Sequence, residues 1–199
     1  MMDDEIDREK RRFLTQATVV AGALGAGFVA TPFLASMQPS AKARASGAPV
    51  EVDVSKVEPG QLIRIMWRGK PVWILRRTPE MLGTLERVRD KLLDPESQES
   101  EQPEYAVNEA RSRTPEIFVA VGVCTHLGCS PTFRPDVTPA DLGPDWLGGF
   151  FCPCHGSLFD LAGRVYKGVP APKNLEIPPY RFLSEGRLFI GGANEEESA

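Results

Sequence analysis

The chain has 199 residues, 42% hydrophobic and 25% charged, with a net charge of −4; that size and balance fit one compact domain with an appendage and exclude a disordered or collagen-like chain. The acidic balance argues against nucleic acid as a partner, since phosphate binding draws on a clustered basic excess. Four cysteines are too few for a disulfide-stapled miniprotein but enough for one metal site, and each of the two histidines lies within three residues of two cysteines.

Residues 1–12 form a charged leader, and residues 13–37 then run without a single Asp, Glu, Lys or Arg. At about 1.5 Å per residue such a helix crosses a bilayer core of roughly 30 Å, which makes it a single transmembrane anchor. Gly22, Gly25, Gly27 and Pro32 lower its intrinsic helicity, while small residues suit packing against neighbouring membrane helices. Ala41-Lys42-Ala43 and Ala43-Arg44-Ala45 have the A-x-A form of a signal-peptidase site, so a cleaved signal is the competing reading. The length of the apolar run favours a retained anchor. Lys10-Arg11-Arg12-Phe13-Leu14 resembles a twin-arginine export signal with Lys10 in the first basic position. Either reading, export signal or plain positive flank, puts the remainder outside the cytoplasm; the resemblance to an export signal implies the periplasmic side of a bacterial inner membrane. Asp3, Asp4, Glu5, Asp7 and Glu9 make the leader too acidic for a mitochondrial transit peptide.

Residues 38–49, small, polar and Pro-flanked, read as a flexible hinge linker, and residues 50–199 as the globular head. EVDVSKV alternates like a strand, and QLIRIMW and PVWILRR flank a short turn at Arg68-Gly69-Lys70, a hairpin signature. The spacing of Met81, Leu82, Leu85, Val88 and Leu92 predicts one short amphipathic helix over 79–93. Residues 94–115, with Glu96, Glu99, Glu101 and Glu104, read as a solvated loop. EIFVAVGV is a buried strand that runs into the first cysteine. SLFDLAG, RVYKG, LEIPPYRFLSEG and RLFIGG are short strands with Gly turns, so the head is all-β; residues 194–199 read as a frayed tail.

The chemistry lies in two clusters, Cys124-Thr125-His126-Leu127-Gly128-Cys129 and Cys152-Pro153-Cys154-His155-Gly156-Ser157. A structural zinc site, two structural disulfides in an exported head, and a Cys/His hydrolase are all compatible with these residue types. The hydrolase lacks an obvious third group to orient its histidine. Two Gly- and Pro-containing loops, each offering a cysteine and a histidine, also match a [2Fe-2S] cluster in which two histidines replace two cysteines on one iron.

CTHLGC and CPCHGS resemble the two boxes of the Rieske iron–sulfur proteins of respiratory quinol–cytochrome c reductases. Lys167-Gly168-Val169-Pro170-Ala171-Pro172 is similar to the proline loop of that family, and Trp67-Arg68-Gly69-Lys70-Pro71-Val72 to a segment of its head. The resemblance implies an all-β Rieske head of antiparallel sandwich layers, with residues 117–172 holding the cluster-binding region. It assigns Cys124 and Cys152 to the buried iron, His126 and His155 to the exposed iron, and Cys129 and Cys154 to a disulfide. Ser157 would donate its hydroxyl to a bridging sulfide. Gly168, Pro170 and Pro172 would cover the cluster, and Leu127 with Gly128 would lie near the quinol. In family members of high potential a Tyr stands two residues after that serine; here it is Phe159. The segment Ser130–Phe151 is longer than in mitochondrial relatives, which leaves the surface near the cluster undefined.

The implied function is electron transfer within a dimeric complex with cytochrome b and cytochrome c1. The cluster takes one electron from quinol, His155 or His126 takes a proton, and the electron passes to the c1 haem as the head moves on its linker. Imidazoles in place of thiolates lower the negative charge of the site and favour reduction. The Rieske subunit of an arsenite-oxidase-type complex and a non-redox zinc module are the alternatives. If residues 13–37 are a working anchor, intact mass of the membrane-isolated chain will include them; a mature start near residues 43–46 contradicts the expectation.

Overall fold

The computed structural model describes residues 7–41 and 47–192. It divides into two units, Met1–Ala45 and Ser46–Ala199. In the first, α1 spans Arg8–Ser36, starting inside the charged leader because the Asp7 side chain caps it by accepting from the Glu9 and Lys10 N–H groups. No residue of α1 is buried within the protein, and the helix is long and apolar enough to cross a membrane. Its Thr15, Thr18 and Thr31 hydroxyls donate to carbonyls four residues back, at 2.8, 2.8 and 2.7 Å, which removes polar hydrogens from the helix surface. Residues 42–46 of the linker, most of the two A-x-A triplets, and residues 193–199 of the tail lie outside the described residues.

The head is built from nine short strands: β1 Val50–Asp53, β2 Leu62–Trp67, β3 Lys70–Arg76, β4 Ile117–Val121, β5 Thr132–Arg134, β6 Gly149–Cys152, β7 Ser157–Phe159, β8 Tyr180–Ser184 and β9 Arg187–Ile190. They form three antiparallel three-stranded sheets in the orders β1-β9-β8, β2-β3-β4 and β5-β6-β7. The β2–β3 hairpin closes on Trp67↔Lys70, with Arg68 and Gly69 both at positive φ (50° and 72°), the turn twist that matches twisted strands. Central β3 is covered on both faces: Val72, Trp73, Ile74 and Leu75 are all buried, as its unbroken apolar run requires. The Trp73 ring stacks on Phe150 of β6 at 4.8 Å, which joins the β2-β3-β4 sheet to the β5-β6-β7 sheet that carries the second cysteine box.

Several expectations change. The segment 79–93 is not one helix. A single helical turn, α2 (Pro79–Leu82), capped by the Thr78 side chain, gives way at Gly83 to a 3₁₀ helix over Glu86–Lys91. Leu85, Val88 and Leu92 are buried in either geometry, so their spacing did not reveal the break. The segment 94–115 is irregular but not solvated throughout: Ser97, Arg111 and Ser112 are buried, and Arg111 donates to the carbonyls of Ala162, Gly163 and Leu175. RVYKG forms only isolated bridges, Leu92↔Tyr166 and Phe159↔Val165, and the strand in EVDVSKV ends at Asp53.

Trp73 leaves no space beside it. A Cβ on Gly122 would lie 2.2 Å from its ring. Gly122→Ala is therefore expected to destabilise the head by about 1–3 kcal/mol through overpacking, read as a lower urea midpoint with an unchanged slope.

Candidate metal centre

Two loops of matching construction form the tip of the head. The first leaves β4 and turns back on itself: the Gly128 N–H donates to the Cys124 carbonyl at 3.0 Å, and the Cys124 N–H to the Cys129 carbonyl at 2.7 Å. The second is the β6–β7 connection, where the Gly156 N–H donates to the Cys152 carbonyl at 2.9 Å and Cys152 pairs with Ser157. In each loop a glycine at positive φ (85° for Gly128, 77° for Gly156) closes the turn four residues after the first cysteine. That turn directs the cysteine inward and leaves the histidine on the outer arc.

The side chains sort accordingly. Cys129 and Cys154 are joined by a disulfide that ties the loops together. Cys124 and Cys152 are free and buried. His126 is half-buried and His155 exposed, and their rings meet edge to face with centroids 4.8 Å apart. Burial pushes the Cys124 thiol above its ordinary value. The His126 N–H and the Ser157 hydroxyl, both bonded to its sulfur, pull the other way, and the neighbouring Cys152 sulfur pushes it up. Metal binding, which needs the thiolate, must displace that proton.

The donor set fits a mixed-ligand cluster. Two buried sulfurs sit side by side beneath two imidazoles at the surface, on loops held facing each other. The Sγ atoms of Cys129, Cys152 and Cys154 lie within 4.8 Å of one another, but two of these are consumed in the disulfide, so that trio is no ligand set. One disulfide with two free cysteines also leaves no room for two structural bridges. A hydrolytic nucleophile has no support either, because both free thiols are buried.

Three further contacts hold the tip, and the sequence motifs gave no sign of their pairing. The buried Ser157 hydroxyl accepts from the Ala171 N–H at 3.1 Å, which turns its own proton away from that N–H and towards the Cys124 sulfur. The Thr125 hydroxyl donates to the Lys173 carbonyl at 2.6 Å, tying the first loop to the end of the proline segment. The Asn174 side chain in turn accepts from Val165 N–H and donates to the Asp94 carbonyl and the Ser97 hydroxyl. The proline segment 167–172, with Gly168, Pro170 and Pro172, is thus fixed against both loops. Leu127 stands at the tip beside Gly128, 73% exposed.

The long segment between β5 and β6 is not at the tip. The register Thr132↔Phe151 and Arg134↔Gly149 puts Cys152 at one end of this hairpin and the connection 135–148 at the other. There Trp146 stacks on Tyr166 at 6.1 Å between centroids, and Arg134 pairs with Asp136 and Asp141. Through Leu142, Trp146 and Leu147 the connection packs against Leu158, Tyr166 and Val169, and so braces the proline segment from the side.

The sheets and the donor set define the class: a Rieske [2Fe-2S] protein. The family profile described as the Rieske [2Fe-2S] domain matches residues 49–180, and the one described as the ubiquitinol-cytochrome C reductase Fe-S subunit TAT signal matches residues 1–40. The ubiquinol-cytochrome c reductase iron-sulfur subunit of Allochromatium vinosum is 58% identical over 186 residues, 94% of this chain and 90% of that one. Its counterpart in Blastochloris viridis is 41% identical over 189 residues, 94% of this chain and 96% of that one. A solved chain titled "Hyperthermophilic respiratory Complex III" aligns over 86% of this chain and 98% of its own with a TM-score of 0.48 and 31% identity. The chain belongs to the family of ubiquinol–cytochrome c reductase iron–sulfur subunits, and its cofactor is the Rieske [2Fe-2S] cluster.

The thiol state gives a direct check. Alkylation of the denatured, non-reduced, cluster-free chain is expected to label Cys124 and Cys152 only, and all four cysteines after reduction, as read by peptide mass. Label on Cys129 or Cys154 before reduction would contradict the bridge.

Proposed function

We propose that the chain is the electron-transfer subunit of a membrane-anchored quinol–cytochrome c oxidoreductase, working with cytochrome b and cytochrome c1 in a dimeric complex, with its head on the periplasmic side. In this reading Cys124 and Cys152 hold the inner iron and His126 and His155 the outer one. When bound, the cluster supplies a one-electron acceptor and donor. The single observation that carries the reading is the sorting of donors by depth: buried free sulfurs below and imidazoles at the accessible tip.

The chain's own residues then divide the work. Leu127 offers an apolar contact for the quinol ring beside the histidines. The outward ring nitrogen of His155, or of half-buried His126, accepts the quinol hydroxyl proton as the electron departs. The disulfide and the proline segment keep water from the buried sulfurs. Ser157, its hydroxyl oriented by the Ala171 N–H, donates to sulfur and so favours the more negative, reduced state. Residues 38–49, small, polar and Pro-flanked, let the head travel between quinol and haem.

EPR-monitored redox titration of membranes containing the complex tests this. The reduced membranes should show the g-average of mixed Cys/His ligation, well below that of an all-cysteine ferredoxin; a colourless, EPR-silent head would instead indicate zinc. Ser157→Ala should lower the midpoint potential. Phe159 is buried on the same face of β7 as Ser157, so Phe159→Tyr can place a hydroxyl towards a ligand sulfur. A hydrogen bond to a charged acceptor is worth about 1.5–3 kcal/mol. Only the difference between oxidised and reduced states reaches the potential, so the expected rise is some tens of millivolts, where about 59 mV is tenfold in a one-electron equilibrium. An unchanged or lowered potential in a correctly folded Tyr variant contradicts the assignment of Phe159.

A further inference from the structure

We propose that Arg77 and Arg111, two buried guanidinium groups with no hydrogen-bonded carboxylate, act as fixed positive charges that raise the reduction potential of the cluster. The proposal rests on the cluster being seated between the two cysteine loops, and it concerns residues outside both motifs.

Among the described residues, four charged side chains are buried: Arg77, Arg111, Arg164 and Asp160. Two of them form an ion pair: Arg164 Nε donates to the Asp160 carboxylate at 2.7 Å, while Nη2, also 2.7 Å from that carboxylate, donates to the Leu85 carbonyl. The other two have only neutral acceptors. Arg77 donates to the carbonyls of Pro115, Ala110 and Leu161 and to the Ser112 hydroxyl. Arg111 donates to the Gln102 side-chain oxygen and to the carbonyls of Ala162, Gly163 and Leu175. The buried Asp160 carboxylate is the strongest acidic influence on both and is shared with Arg164, so three buried guanidinium groups face one buried carboxylate and keep a net positive charge; half-buried Asp94 and exposed Glu116 act more weakly, on Arg111 and Arg77 respectively. Burial pulls both guanidinium values down to about 10, which leaves them charged at neutral pH.

These charges grip the turn that follows the second box. Leu161, Ala162 and Gly163 come directly after β7, whose first residue, Ser157, bonds to the Cys124 sulfur. At about 3.3 Å per residue, β7 puts Asp160 about 10 Å from Ser157, and the guanidinium groups bond to the carbonyls of the turn that follows it, Leu161, Ala162 and Gly163. The added electron makes the cluster more negative, so a buried positive charge favours the reduced state. For a separation of roughly 12–17 Å and an effective dielectric of about 20, one unit charge changes a one-electron equilibrium about five- to tenfold. That is about 40–60 mV per charge, comparable to a hydrogen bond at the sulfur itself. The neutral acceptors leave this charge intact, where a paired carboxylate would abolish it.

The decisive variant is Gln102→Glu. The Gln102 oxygen already accepts from Arg111 Nε and Nη2 at 3.0 and 2.8 Å. A carboxylate there keeps both bonds and neutralises the guanidinium, at the loss of one donation to the Ser97 carbonyl. EPR-monitored titration of membranes containing the full complex should give a lower midpoint potential for Gln102→Glu with unchanged g-values. Arg111→Gln should lower it further, while Arg111→Lys should stay near the native value, because charge and not shape sets the effect. Where Arg111→Gln does not assemble, Gln102→Glu decides alone. A native or raised potential in Gln102→Glu, or equal shifts in Arg111→Gln and Arg111→Lys, overturns the proposal. Loss of the Rieske signal in the unsubstituted protein would instead fail the cluster assignment on which it rests.

Discussion

Everything at the tip follows from the need to hold two sulfurs side by side under cover. A pair of thiolates in contact repel, and burial penalises each charge separately. Burial holds the Cys124 thiol above its ordinary value, so binding a metal there also releases a proton. The loops must therefore be positioned before the metal arrives and cannot depend on it. The Cys129–Cys154 bridge and the two glycine turns supply that constraint. The proline segment, bonded through Ser157 and Thr125, extends it over the top.

The platform beneath is equally specific. β3 is apolar on both faces because it lies between β2 and β4 and under the sheet that carries the second box. The contact between Trp73 and Phe150 transmits the position of one sheet to the other, and Gly122 makes room for it at the root of the first loop. Both boxes thus spring from strands that touch the same indole ring.

Much of this was legible in the sequence. The hairpin around Arg68-Gly69 was visible because two strand-like runs flank a short turn containing Gly69, although nothing in the sequence marked Arg68 for a left-handed conformation. The two boxes were visible because metal donors cluster locally. What stayed hidden were arrangements that local pattern does not encode. Leu85, Val88 and Leu92 keep helical spacing although the chain breaks at Gly83, because an irregular path can bury the same residues. Arg111 sits in a polar, acidic stretch that composition marks as solvated. Its burial is decided by carbonyls some fifty residues away, with no periodic signature. The side-chain bonds of Ser157, Thr125 and Asn174 are likewise long-range choices that become apparent only once the proline segment is in place.

The lone leucine at the tip has a kinetic consequence. Leu127, between His126 and Gly128, is the large apolar side chain exposed on the two loops, with exposed Pro153, Pro170 and Pro172 as smaller apolar neighbours in the second box and the proline segment. Burying one leucine contributes roughly 1.5–3 kcal/mol, below the roughly 4.1 kcal/mol of a millimolar contact. A surface of this kind releases its partner readily, and affinity differences among related contacts reside mostly in the off-rate. In the proposed cycle, a head visiting quinol and haem in turn would be served by a short residence time at each, and a broader apolar tip would slow its departure.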